Sequence, residues 1–333
     1  MSITRCPGTL ADGYNTYSNI CLRKLYNGKK VSHILPYNSP KSNDDNAAIF
    51  IENRKRISIS GVQEKMSLLL DKNKLRLTKE GEKGTYILKP IPIDLKKVSQ
   101  VPANEHLTMQ IARQVYDINT AENALIFFKT GEPAYITKRF DIKEDGTKWG
   151  KEDFATLAGK TSENAGANFK YDYSYEELAN LLKKYVPSYI IEIEKLYKLI
   201  VFNYLFSNGD AHLKNFSLLE TKNGDYTLSP AYDLINTRIH VDDSDFALSK
   251  GLFKDNYISN EKKKSGKPGL EDFIEFAIRI GIDKENAIKL LTPFLENQEA
   301  VLKLIENSYL DEPTKRAYLL DYQTRRNQLN KIF

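Results

Sequence analysis

The sequence predicts an α+β protein with two lobes, in which a β-rich N-lobe precedes a larger all-helical C-lobe. Short β-type runs at hairpin spacing, separated by Gly, Asn and Asp turns, occupy residues 57–140. Beyond residue 141 the apolar residues recur mainly at helical spacing. A chain with two lobes of this kind often holds a ligand in the cleft between them.

Length, charge and cysteine content exclude several classes of protein. The chain has 333 residues, enough for a buried core in one large or two ordinary domains. Its formal net charge of +5 suits local binding of anions but is too small to indicate nucleic acid binding. With only two cysteines in the chain, we expect no disulfide framework and a reducing cytoplasm. We expect no signal peptide and no membrane span, because long apolar runs are missing.

The residue pattern changes along the chain and divides it into three predicted segments. Residues 1–50 are polar and rich in turns, and we interpret them as an extension for partner docking more than as a core. Residues 51–140 form the predicted N-lobe, with one helix in 103–118 among the strands. The predicted strands lie at 57–61, 66–70, 73–77, 85–90, 124–128 and 134–140.

Residues 141–333 form the predicted C-lobe. Its first clear helix begins at Ser174, followed three residues later by Glu177 in a capping-box pattern. The next helix, within 193–209, is apolar on almost every side, as a buried central helix would be. Three amphipathic helices complete the prediction, at 270–281, 284–310 and 315–329.

The stretch SNGDAHLKNFSLL, residues 207–219, carries the chemistry that the pattern predicts best. Asp210 is followed five residues later by Asn215, and a hairpin then returns the chain to Asp233. Carboxylate and amide oxygens suit Mg²⁺, and phosphoryl transfer needs a further carboxylate to accept the hydroxyl proton. The order Asp-x₄-Asn, hairpin, Asp is that of a kinase catalytic loop and its metal-binding aspartate. The predicted fold is therefore protein-kinase-like, with ATP and Mg²⁺ as cofactors.

A kinase-like site also requires certain residues earlier in the chain, and the sequence has them in the expected order. SISGVQEK offers a phosphate-covering loop with Ser58, Ser60 and Gly61, and with Lys65 beyond. Lys89 lies late in a predicted strand, where it can reach phosphates. Glu105 opens the next helix and can orient that lysine. That all these residues occur in the expected order is stronger evidence for a kinase-like site than any one match.

The motifs SISGVQEK, YILKP, NEH, KRFD, EDFA, NGDAHLKNFSL and SPAYDL together resemble the HipA family of bacterial serine/threonine toxin kinases. The resemblance implies that Asp210 is the proton acceptor, that Asn215 and Asp233 bind Mg²⁺, and that Lys89 binds phosphate. It places His212 beside the nucleotide. The loop implied to cover ATP consists of Ser60, Gly61, Val62, Gln63, Glu64 and Lys65. The implied hinge that meets adenine consists of Lys138, Arg139 and Phe140.

At one hinge position the chain departs from the family pattern. Many members have an acidic residue where this chain has Lys138. We expect ATP binding to survive, since backbone groups do most of the hinge recognition.

The chain looks most like the short HipT-type members, because it is short at its front and carries an S-x-S loop at Ser58 and Ser60. That resemblance implies autophosphorylation of both serines. It also implies a HipS-like small protein docked on residues 1–50 and a HipB-like DNA-binding antitoxin, so that DNA is contacted only through the partner. The implied substrate is an aminoacyl-tRNA synthetase, tryptophanyl or glutamyl, and the HipT-type resemblance favours the tryptophanyl enzyme. A small-molecule phosphotransferase and a non-catalytic corepressor subunit are the alternatives.

Overall fold

The computed structural model describes residues 2–40, 65–93 and 95–331. A five-stranded antiparallel sheet with the order β2-β1-β3-β5-β4 forms the N-lobe. The N-lobe elements in chain order are α1 (Asn19–Tyr26), β1 (Met66–Asp71), β2 (Lys74–Leu77), β3 (Tyr86–Lys89), α2 (Val101–Gln114), β4 (Asn123–Phe127) and β5 (Pro133–Lys138). The prediction of two lobes with a kinase-like α+β fold is confirmed, and each predicted strand from residue 66 onward is present.

Strand register and helix packing carry two functional side chains inward. Lys89 pairs with Tyr135 on the neighbouring strand β5, and the Lys89 ammonium lies 5.3 Å from the centre of that ring. Helix α2 packs against β4 and β5 and is buried from Val101 to Ala112. Glu105 near its start is therefore directed into the protein and not to solvent, with 2% of the residue exposed.

Residues 2–40 contribute directly to the N-lobe core. Tyr17 and Tyr26 are buried together with strand residues of the five-stranded sheet. The backbone N–H of Leu35 donates to the carbonyl of Phe127 at 2.7 Å, which covers the outer edge of β4. The interpretation of this segment as an extension more than a core is therefore wrong for residues 2–40. Its role in partner docking stays a prediction.

The C-lobe is largely helical. Its helices are α3 (Phe154–Leu157), α4 (Ser162–Ala165), α5 (Tyr175–Tyr185), α6 (Tyr189–Leu205), α7 (Asn260–Ser265), α8 (Leu270–Arg279), α9 (Lys284–Leu295), α10 (Glu299–Asn307) and α11 (Glu312–Leu329). Helix α6 is buried along most of its length, as its apolar sequence predicts. No helix in the described ranges is both long and apolar enough to cross a bilayer.

Two details of the C-lobe differ from the sequence prediction. It also contains a small antiparallel sheet of β6 (Lys151–Asp153), β7 (Ser217–Glu220) and β8 (Tyr226–Leu228), so it is not wholly helical. The single helix predicted over 284–310 is two helices, because the chain is extended at Glu296. The capping box at Ser174 and Glu177 is present as predicted. The predicted hairpin of β7 and β8 is also present, and it precedes Asp233.

Candidate active site

Three charged side chains from distant parts of the chain meet where the N-lobe contacts the C-lobe. Lys89 ends β3, Glu105 lies near the start of α2, and Asp233 follows β8. The Lys89 Nζ atom donates to Glu105 Oε1 at 2.6 Å and to Asp233 Oδ1 at 2.5 Å. The Lys89 and Glu105 side chains are only 5% and 3% exposed. The structure thus brings together three of the predicted site residues in a mostly buried ion triad.

The charges of this triad set the protonation of its members. Burial alone would raise the pKa of Asp233, but the ammonium groups of Lys89 and Lys65 outweigh it and hold that pKa well below its usual range. Burial would lower the pKa of Lys89, whereas Asp233 and Glu105 raise it above its ordinary value. The pKa of Glu105 is raised, because burial outweighs the attraction of Lys89. Asp233 is therefore the carboxylate that stays ionised to the lowest pH.

The catalytic-loop segment, residues 207–215, leaves α6 through a left-handed residue. Ser207 has a φ of +53°, a conformation that cannot continue a right-handed helix. The Asn208 side chain then supports the turn, since its Nδ2 atom donates to Asn203 Oδ1 at 2.8 Å. Its Oδ1 atom accepts from the backbone N–H of Asp210 at 3.3 Å. The buried end of α6 thereby positions Asp210.

Asp210 is held by a side chain that the sequence analysis missed. The Tyr171 hydroxyl donates to Asp210 Oδ1 at 2.7 Å, while half of the Asp210 side chain remains exposed. Partial burial raises the pKa of Asp210, and the hydrogen bond from Tyr171 opposes that rise. Tyr171 lies 39 residues before Asp210 in an ordinary turn sequence, so no local signal could have linked the two.

His212 lies beside this pair as a neutral imidazole. Its ring contacts the Tyr171 ring edge-on, with 5.2 Å between centres, and its Nε2 atom is 3.9 Å from Asp210 Oδ1. Burial, with a smaller effect from Lys170, lowers the pKa of His212 to about 3. The placement of His212 beside a nucleotide stays a prediction.

Asn215 and Asp233 offer a pair of oxygen donors that fits a hard cation. The Asn215 Nδ2 atom donates to Asp233 Oδ2 at 3.4 Å, and Asn215 Oδ1 accepts from the backbone N–H of His212 at 3.1 Å. Asp233 has a φ of +57°, a conformation that non-glycine residues adopt mostly at constrained positions. An ionised carboxylate together with an amide oxygen is the donor chemistry that Mg²⁺ prefers, although here the Asn215 amide presents its nitrogen to Asp233 and its oxygen to His212. The two residue types fit the predicted magnesium ion, and its binding here stays a prediction.

The predicted phosphate-covering loop lies mostly outside the described residues. This applies to Ser58, Ser60, Gly61, Val62, Gln63 and Glu64. Lys65, the last member of the predicted loop, is described, and its Nζ atom lies 3.9 Å from Asp233 Oδ2. The end of this segment therefore brings a second ammonium group to the carboxylate that Lys89 contacts.

The predicted hinge begins at the end of β5. The Lys138 Nζ atom donates to Asn27 Oδ1 at 2.6 Å, so this side chain contacts the N-terminal segment. Arg139 forms a bidentate pair with Asp141, with N–O distances of 2.9 and 2.6 Å. Both side chains are engaged within the protein, which leaves backbone groups as the means of base recognition at this point. That the segment binds adenine stays a prediction.

Phe140, the third hinge residue, belongs to a small aromatic surface. Its ring packs against Tyr232, with 5.8 Å between centres. The Lys151 Nζ atom lies 5.3 Å from the Phe140 ring centre and 4.8 Å from that of Tyr232. Tyr232 precedes Asp233, so its neighbourhood could have been inferred from the sequence. The position of Lys151 beside these rings could not have been inferred from the sequence. Flat rings beside a cation suit stacking against a planar base.

The fold and the site together define a protein-kinase-like class of protein, in which a helix glutamate orients a strand lysine near the metal-binding carboxylate. Residues 57–302 match the family model described as the HipA-like C-terminal domain. The chain therefore belongs to this family, as the motifs predict. The HipT subtype stays a prediction.

Similar proteins agree with this assignment. A candidate kinase of Haemophilus influenzae is 26% identical over 339 residues, which cover 95% of this chain and 93% of the relative. The serine/threonine-protein kinase toxin HipA of Shewanella oneidensis is 24% identical over 206 residues, which cover 57% of this chain and 46% of the relative. The chain thus matches about half the length of that toxin.

A solved structure shares the fold. It is the complex of HipA, HipB and operator DNA of the Shewanella oneidensis MR-1 toxin–antitoxin system. The matched chain has a TM-score of 0.63 and 18% identity, with 87% of this chain and 72% of that chain covered. At this level of identity the likeness establishes the fold.

Proposed function

We propose that this protein is an ATP-dependent serine/threonine protein kinase that acts as the toxin of a bacterial toxin–antitoxin system. The observation that carries the proposal is the contact of Lys89 with both Glu105 and Asp233, beside Asn215. A phosphate-binding lysine, its orienting glutamate and a metal-binding pair are the parts that phosphoryl transfer requires. The similarity to a HipA toxin supports the biological role.

In the proposed reaction each residue has one task. Lys89 releases Asp233 and binds phosphate oxygens of ATP, while Glu105 keeps the ammonium group oriented. Asn215 and Asp233 would hold Mg²⁺, which neutralises negative charge on the phosphates. Asp210 accepts the proton of a serine or threonine hydroxyl as that oxygen bonds to the γ-phosphorus and the bond to ADP breaks. The hydrogen bond from the Tyr171 hydroxyl keeps the Asp210 carboxylate in one orientation for this step.

The proposed substrate is an aminoacyl-tRNA synthetase, tryptophanyl before glutamyl, whose phosphorylation would inhibit translation in the cytoplasm. The proposed partners are a HipB-like DNA-binding antitoxin and a HipS-like small protein. The fold neighbour in a complex with HipB and operator DNA supports a partner of the first kind. In this proposal the protein reaches DNA only through that partner.

The test is transfer of label from ATP to purified tryptophanyl- and glutamyl-tRNA synthetases. Asp210→Asn should lower the rate by about 10²- to 10⁴-fold, because the proton acceptor is lost. Asp145→Asn, at an exposed turn carboxylate bonded to Thr147, is the matched control and should retain activity.

Three outcomes would count against parts of the proposal. Unlabelled synthetases from an active enzyme would reject the substrate and favour another acceptor, such as a small molecule. No transfer to any acceptor, including the protein itself, would reject the kinase and favour a corepressor. Full activity of Asp210→Asn would reject the assigned base.

A further inference from the structure

Asn104, the residue before Glu105, joins α2 to the segment that follows Asp233. Its Nδ2 atom donates to the carbonyl oxygen of Asn236 at 2.8 Å, and its Oδ1 atom accepts from the backbone N–H of Asn236 at 3.1 Å. Asn104 is 0% exposed and Asn236 is 1% exposed. One buried side-chain amide therefore pairs with both main-chain groups of a residue three positions beyond Asp233.

The other contacts of the Asn104 amide complete its hydrogen bonding. Its Nδ2 atom lies 2.9 Å from His240 Nε2, and the Thr108 hydroxyl lies 3.3 Å from its Oδ1 atom. His240 Nδ1 lies 2.9 Å from the carbonyl oxygen of Lys96, so Nδ1 carries the hydrogen and Nε2 accepts from Asn104. Both hydrogens of the amide and one lone pair of its oxygen thus have partners, whereas the Thr108 hydroxyl lies closer to the carbonyl oxygen of Asn104, at 2.9 Å. These contacts determine the orientation of the amide.

The segment that Asn104 holds is also bonded to the catalytic-loop segment. The backbone N–H and the hydroxyl of Thr237 each lie 3.1 Å from the carbonyl oxygen of Ser207. The Thr237 hydroxyl in turn accepts from the backbone N–H of Gly209 at 2.9 Å. Residues 236 and 237 therefore lie between the helix that carries Glu105 and the loop that carries Asp210.

During the proposed reaction, the ion triad by itself would no longer connect β3 and α2 to the segment after β8. When Lys89 turns to phosphate oxygens, it gives up its bond to Asp233, and that bond is one of the links between β3, α2 and the segment after β8. Glu105 and Asp233 would then repel each other, as neighbouring carboxylates do. The Asn104 bonds are between neutral groups, so the change of ion pairing leaves them intact.

We infer that Asn104 is a positioning residue, which keeps Glu105 and Asp233 in register while Lys89 moves between carboxylate and phosphate. This inference rests on the proposed kinase function. Asn104 touches neither substrate nor metal in it, and it acts on catalysis through Glu105.

The first test compares Asn104→Ala with a control that loses similar buried bonds elsewhere in the N-lobe. Asn123→Ala is that control, because Asn123 is 3% exposed and bonds to Gln110 and to the carbonyl of Ala121. Asn104→Ala should lower kcat about tenfold, because the bonds that couple the start of α2 to the segment after Asp233 are lost. The KM for ATP should change much less. Asn123→Ala should lower the melting temperature comparably and leave kcat within about twofold of wild type.

The second test is a double-mutant cycle that separates positioning from general destabilisation. In a Glu105→Gln background, Asn104→Ala should reduce kcat less than about twofold, because the group it positions is already altered. If Asn104→Ala does not fold, His240→Ala replaces it and should show a smaller loss, about threefold, in the wild-type background only.

The outcomes distinguish this inference from the function on which it rests. Equal fold-losses in both backgrounds, or an unchanged kcat in a folded Asn104→Ala, would overturn the positioning role while leaving the kinase intact. A wild-type protein without any phosphoryl transfer would instead reject the proposed function, and the inference with it.

Discussion

Tyr171 donates a hydrogen bond of 2.7 Å to Asp210, so a tyrosine from a separate turn holds the predicted proton acceptor. The carboxylate therefore has a preferred orientation before any substrate is bound. The same bond lowers the pKa of Asp210 against the effect of burial, which raises it. The tyrosine thereby affects both the direction and the basicity of the proposed base.

Tyr171→Phe should move the acid limb of the kcat profile to higher pH. Without the donated hydrogen bond the pKa of Asp210 rises, so the ionised base is lost at a higher pH than in wild type. A hydrogen bond to a charged group contributes about 1.5 to 3 kcal/mol, which corresponds to a shift of the acid limb by about one to two pH units. The measurement is kcat between pH 5 and 9. Tyr173→Phe in the same turn, where the ring contacts Lys160, is the control. A profile that coincides with wild type would contradict the assigned role.

Lys89→Met should destabilise the protein, and more strongly at pH 8 than at pH 5. The change leaves Glu105 and Asp233 buried without their shared cation, at a cost of about 3 to 5 kcal/mol. Burial then holds the folded-state pKa of Glu105 above the unfolded one, whereas Lys65 and Lys151 still lower that of Asp233. The contribution of Glu105 to stability is present at low pH and is lost as the pH rises through its folded-state pKa.

Urea unfolding at the two pH values measures this difference. The control is Lys96→Met, which removes a surface ion pair to Asp242 whose side chains are 67% and 93% exposed, and should cost less than about 1 kcal/mol. Equal losses for Lys89→Met at both pH values would show that the buried charges are not the cause.

Tyr26→Ala should show that residues 2–40 belong to the folding unit of the N-lobe. Tyr26 is fully buried, and its ring centre lies 5.3 Å from that of Tyr17 and 5.8 Å from that of Tyr86. Loss of such an aromatic side chain costs about 3 to 5 kcal/mol. Tyr14→Ala, at a side chain that is 38% exposed, should change the free energy of unfolding by less than about 0.5 kcal/mol. Denaturant titration of both variants is the measurement, and similar values for the two would contradict the structure.

Ser58 and Ser60 are predicted to become phosphorylated when the protein is incubated with ATP. The added charge of about −1.5 to −2 per phosphate would repel ATP phosphates and slow further turnover. Intact mass should show one or two added phosphates on wild type and none on Asp210→Asn. The double variant Ser58→Ala, Ser60→Ala should remain unmodified there and keep its activity longer. A wild type that labels a substrate but gains no mass would disprove autophosphorylation.

Regular elements were the part of the fold that the sequence predicted best. A short β-type run indicated β1 at 66–70, where the strand spans Met66–Asp71, and helical spacing indicated α2 at 103–118, where the helix spans Val101–Gln114. Ser174 was predicted as a helix cap and is one. These signals succeed because each depends on neighbours a few residues away.

The break between α9 and α10 shows where such local signals fail. The sequence prediction carries one helix across the polar residues 296–298. In the structure Glu296 is extended, and the Gln298 side chain donates to the carbonyl of Pro293 at 2.9 Å.

The sequence by itself determined the chemical groups of the candidate site and their order along the chain. Tertiary structure alone decided that Lys89 contacts Asp233, 144 residues away, and that residues 2–40 complete the N-lobe core. It also decided that Tyr171 holds Asp210. The physical reason is that residue spacing records contacts within an element, whereas these contacts arise only when separate elements pack together.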